Sequence, residues 1–73
     1  MPLVFMKVGD VVRIVRVKGT DAVRKRLGTL GFIPGAVVSV VQIQEGNLIL
    51  GLQESRIALG CDTAQRVIVE PAA

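Results

Sequence analysis

The stretch Arg26–Gln53 reads RLGTLGFIPGAVVSVVQIQEGNLILGLQ. Leu27 and Leu30 continue an apolar stripe begun by Val23, at i, i+4 and i+7, the spacing of one helix face. Gly31 supplies a C-terminal stop, and Pro34 follows where a helix cannot continue. Ala36–Gln44 is rich in β-branched residues and reads as a strand. Glu45-Gly46-Asn47 reads as a hairpin turn, and Leu48–Gln53 as the returning strand, with Leu48, Leu50 and Leu52 on one face. Gly51 within it marks a bulge or the close approach of another backbone. The stretch is therefore a helix end, a loop and a β-hairpin.

Upstream, Gly9-Asp10 signals a turn and Val11–Lys18 a strand. Strict alternation would place Arg13 and Arg16 on opposite faces, which predicts a strand end or a bulge. Gly19-Thr20-Asp21 opens the helix; Thr20 or Asp21 can cap it, and Asp21 suits the positive end of its dipole. Gly28 weakens it by roughly 1 kcal/mol relative to alanine. Downstream, Arg56–Leu59 is a short strand, Cys61–Arg66 a helical turn with Asp62 as its cap, and Val67–Glu70 the last strand. These elements predict a mainly β fold: a small, partly open SH3-like barrel of about five strands. One α-helix is inserted, and a short helical turn precedes the last strand. No linker or repeat divides residues 1–73, so a single domain is expected, with an ordered core over about residues 7–70.

Composition narrows the chemistry. The chain has 73 residues, one cysteine and no histidine, so neither an internal disulfide nor an ordinary zinc site can staple it. Its hydroxyls and Cys61 have no imidazole base, and no glycine motif matches a phosphate cradle. No acidic pair has a recognised metal spacing. Catalytic, metal and cofactor sites are therefore not expected, and the chain reads as a binding module, not an enzyme. The N-terminal apolar run is too short for a leader peptide, so a cytoplasmic protein with a reduced Cys61 is expected. Leu27–Gln44 is uncharged, but Gly31, Pro34 and Gly35 break it, which argues against a membrane span.

The net charge is +3, and six of the nine basic residues lie between Arg13 and Arg26. Such a pole is either a solvated face or a steering surface for an acidic protein, a nucleic acid or an anionic membrane. With only two phenylalanines and no Tyr or Trp, the chain is poorly equipped for base stacking. Leu30, Phe32 and Ile33 carry two readings: they close one end of the barrel, or part of them forms an exposed docking patch. The docking reading takes Leu27, Leu30, Phe32 and Pro34 as contacts, with Arg24, Lys25 and Arg26 steering. A marginal core also favours self-association, with Val67–Glu70 free to pair between copies.

Gly9-Asp10, Arg26-Leu27, Leu30-Gly31-Phe32, Pro34-Gly35, Gly46-Asn47, Arg56-Ile57-Ala58-Leu59 and the closing Ala64–Val69 resemble the FeoA family, ferrous iron transport protein A. The resemblance runs in order over nearly the whole chain. It implies an SH3-like barrel with an inserted helix, and a cytoplasmic accessory of FeoB, the membrane GTPase that carries ferrous iron inward in bacteria. It also implies kinship with the C-terminal domain of iron-dependent repressors, so the alternatives are a repressor-type module or a nucleic-acid-binding small barrel.

Overall fold

The computed structural model describes residues 1–72. A 3-10 turn at Leu3–Phe5 is followed by β1 (Val11–Val17), α1 (Asp21–Thr29), β2 (Val37–Gln44), β3 (Asn47–Leu52), β4 (Ser55–Gly60), α2 (Cys61–Ala64) and β5 (Val67–Pro71). All strand pairs are antiparallel, in the order β4-β3-β2-β1-β5. The mainly β architecture expected from the sequence, with its inserted helix and late helical turn, is the one observed.

Alternation builds the core. Val12 and Ile14 of β1, Val38 and Val40 of β2, Leu48 and Leu50 of β3, Leu59 of β4 and Val67 and Val69 of β5 all face inward. The conflict between Arg13 and Arg16 is resolved by a bulge. Ile14 pairs with Val69 and Arg16 with Ile68, so Val15 is an extra residue in β1. The extra residue resets the alternation: Arg16 stays exposed and Val17 packs against the core. A second irregularity falls between Val40 and Gln42 in β2.

Gln44 pairs with Asn47, so the β2–β3 turn is Glu45-Gly46, with φ of +30° and +80°. Asn47 therefore begins β3 instead of ending the turn. Gly51 faces Ser39 across β2, and a Cβ there would stand 2.7 Å from Ser39 Oγ and 3.3 Å from Val41 Cγ2. The close approach predicted at Gly51 is thus made by neighbouring side chains. α2 is capped by Gly60 with no side-chain cap bond, so Asp62 is not the cap expected. The Cys61 amide instead donates to the Gly46 carbonyl at 2.9 Å, tying α2 to the β2–β3 turn.

The N-terminal boundary differs from the expectation. Leu3 is fully buried and Met6 nearly so, so the core does not begin near Lys7. The Val69 amide donates to the Met1 carbonyl at 2.7 Å, the Met1 ammonium donates to the Val69 carbonyl at 2.8 Å, and Pro2 bridges Ile68. The physical reason is size: so small a chain needs every apolar residue it has. The same contacts occupy the outer edge of β5 around Ile68, which corrects the expectation that this strand is free to pair with a second copy.

Leu3→Ala should lower the unfolding free energy by about 2–5 kcal/mol, the range for a buried leucine. Urea unfolding followed by circular dichroism measures it. A loss below about 0.5 kcal/mol would mean that the N-terminal turn is not core.

Candidate partner-docking site

α1 begins and ends on specific backbone chemistry. Thr20 is its N-cap, its Oγ1 accepting from the Val23 amide at 3.2 Å. At the other end Leu30 is the C-cap and Gly31 turns the chain with φ +102°. The Phe32 amide donates to the Leu27 carbonyl and the Gly31 amide to the Gly28 carbonyl, both at 3.0 Å. These two bonds form a Schellman motif, whose usual companion is an apolar contact between the residues here numbered 27 and 32. Leu27 is 2% exposed and Phe32 1%, and both belong to the core cluster.

The motif sorts the seven expected contact residues. Phe32 points inward and offers no surface, so its assignment as a contact is corrected: it closes the barrel end. Leu27 is buried too and meets the surface only as part of a cleft wall. Leu30 is 40% exposed, and Pro34 is exposed. Arg24, Lys25 and Arg26 are exposed too, but Arg24 is paired with Asp21. Of Leu30, Phe32 and Ile33, Phe32 closes the barrel end, while Leu30 and Ile33 are exposed.

Leu30 stands between two hollows. One is a cleft of about 170 Å³ between α1 and β4, with Val23, Leu27, Leu30, Ala58 and Leu59 among its walls. Arg26, Arg66 and Thr63 also line it. Neither arginine makes a side-chain ion pair among the described residues. The second hollow lies under the α1–β2 connection and involves Leu30, Ile33, Pro34, Val37 and Leu52. Arg66 and Val37 were missed as site residues by sequence reasoning. Arg66 precedes β5, yet its Nη1 lies 3.5 Å from where a Cβ on Gly19 would stand. That proximity spans 47 positions and leaves no local pattern. Val37 follows the ordinary alternation of a strand, outward against Arg13.

The cleft can accept an apolar side chain flanked by a carboxylate, because its base is aliphatic and two guanidinium groups border it. Among the described residues no group of three or more His, Cys, Asp or Glu could hold a metal ion. No helix there is long and apolar enough to cross a membrane.

The family model for the FeoA domain matches residues 1–71. The chain belongs to the FeoA family. A curated FeoA-family relative, the Fe(2+) transport protein A of Methanocaldococcus jannaschii, is 31% identical over 71 residues, covering 97% of this chain and 87% of that protein. The FeoA of Stenotrophomonas maltophilia, an SH3 domain protein solved in complex with zinc, has a TM-score of 0.83 at 28% identity, over 96% of this chain and 89% of that one. A manganese-dependent transcriptional repressor superposes with a TM-score of 0.88 at 16% identity, over 97% of this chain and 41% of the repressor. That likeness is one of fold. The FeoA domain here is thus an SH3-like barrel of the ferrous iron transport class.

Leu30→Asp should retain the fold within about 1 kcal/mol, whereas Phe32→Asp should leave the chain unfolded, because it buries an unpaired carboxylate in the barrel end. Thermal unfolding of the two variants checks the division. Equal behaviour would contradict the inward placement of Phe32.

Proposed function

We propose that this FeoA domain acts as a non-enzymatic accessory of ferrous iron uptake by docking on the cytoplasmic part of an FeoB-type membrane GTPase. Membership of the FeoA family gives the transport setting. A role as a ferrous iron transport activating factor has been suggested for the Stenotrophomonas protein, which supports the reading. The observation that carries it is the α1–β4 cleft, an aliphatic base bordered by Arg26 and Arg66, neither ion-paired among the described residues. Leu30 is the apolar contact, and Lys25 and Arg26 steer an acidic partner to it. Docking on such a transporter places the chain at the inner face of the cell membrane.

Repressor-type or nucleic-acid binding has less support from the surface. Phe32 is buried, which leaves Phe5, 74% exposed, as the single ring free to stack on a base.

Capture of detergent-solubilised FeoB by the tagged chain tests the proposal. Leu30→Asp and Arg26→Glu should each weaken capture by about tenfold, as expected for an interface anchor. Val11→Asp, at an exposed position on β1 outside the cleft, should not. Full capture by both cleft variants would sink the assignment. Capture of nucleic acid that persists at moderate salt would favour the repressor-type alternative.

A further inference from the structure

The second hollow, under the α1–β2 connection, has an aliphatic side and, across it, the polar turn of Gln53, Glu54 and Ser55. Its rim carries Leu30, Ile33, Pro34 and Val37, of which Ile33 is 51% and Val37 47% exposed. Branched aliphatic side chains gathered in water mark an interaction surface. No residue lining this hollow is charged. Arg13, opposite Val37 across the β1–β2 pair, is held by Glu70, whereas Lys25 and Arg26 stand on the last turns of α1 beside the hollow. Thr29, on the rim, donates its hydroxyl to the Lys25 carbonyl at 3.0 Å, and the Leu30 amide reaches the Arg26 carbonyl. Lys25 and Arg26 are exposed, and neither is ion-paired among the described residues.

The arrangement fits a bilayer. An interfacial protein buries its apolar face about 5–10 Å into the headgroup and acyl boundary. Ile33 Cγ2 stands 3.7 Å from where a Cβ on Gly28 would be, so the aliphatic rim adjoins the helix turn that carries Lys25 and Arg26. With Ile33 and Pro34 in the interface, the long side chains of these two cations extend to the phosphates. An anionic leaflet offers acyl chains to the aliphatic rim and phosphates to the cations beside it.

We infer that this surface seats the chain on an anionic lipid bilayer, with Ile33, Pro34 and Val37 in the interface and Lys25 and Arg26 against the phosphates. The inference goes beyond docking on a transporter and does not rest on it, because it requires lipid alone.

The sequence contains no tryptophan, so one introduced indole reports on one place. Ile33→Trp puts it in the proposed contact. Ile43→Trp puts it at an exposed position near the other end of β2, about 20 Å along the strand from Val37. Each variant is mixed with phosphatidylcholine vesicles, with and without phosphatidylglycerol, in the absence of any transporter. The emission of Ile33→Trp should move to shorter wavelength with phosphatidylglycerol vesicles alone, and that of Ile43→Trp should not move. Adding Lys25→Glu or Arg26→Glu should weaken vesicle binding by about fivefold or more per cation. Matching far-UV circular dichroism keeps unfolding out of the comparison. No shift at position 33, or equal shifts at 33 and 43, would overturn the inference; so would an equal shift on neutral vesicles. Retention only on neutral vesicles that contain FeoB would overturn it and leave transporter docking standing. Loss of FeoB capture with the position 33 shift intact would do the reverse.

Discussion

The helix stop at Gly31 is the constraint on which the rest of this barrel depends. Two backbone bonds, Phe32 to Leu27 and Gly31 to Gly28, turn the chain back under its own helix. The turn needs φ +102° at Gly31, a conformation L side chains rarely adopt. It delivers Phe32 to the open end of the barrel beside Leu27, and it leaves Leu30 facing out one residue before the turn. Burial of a large side chain contributes about 1.5–3 kcal/mol, a large share of the stability of so small a domain. The same bonds that complete the core therefore create the exposed apolar group on which a docking surface can be built.

The N-terminus covers the β5 edge of the sheet. In a protein this small an unpaired outer strand is a route to self-association. Met1 and Pro2 lie along β5 at Val69 and Ile68, and Leu3 then plugs the core beneath them. One short segment thus serves as both edge cover and core, which links the stability of the barrel to its first six residues. The bulge at Val15 works in the same economy. It allows β1 to carry Arg13 and Arg16 to solvent while Val12, Ile14 and Val17 stay with the core.

What could be read from the sequence was what is local. The helix, its Thr20 cap, the hairpin and the strand order along the chain rest on spacings of a few residues. Strain between Arg13 and Arg16 could be read as a bulge because alternation is itself local. The role of Leu3 and Met6 could not, since nothing in an apolar run of six residues says which strand it will cover. Likewise Leu27, Leu30, Phe32 and Pro34 form one apolar cluster in sequence, and only the turn at Gly31 separates the buried from the exposed. Arg66 lines the cleft and lies beside Gly19, 47 positions away, which is outside the reach of any spacing rule.

The way α1 is held bears on what its two flanking hollows can do. Of its nine residues only Leu27 is buried, with Val23 partly buried against the core, so the helix is fixed by its caps and a narrow apolar contact, not by a broad packed face. Elements with few buried apolar contacts occupy the low end of local stability and respond most to an added contact. Leu30 touches both hollows, so an occupant of either one adds packing at the same helix end. Ordering at that end by one occupant reduces what the other must order, which is the physical basis for positive coupling between sites without a change of shape. A surface seated on lipid through Ile33 and Pro34 would thus present Leu30 to a membrane protein from a helix already held in place.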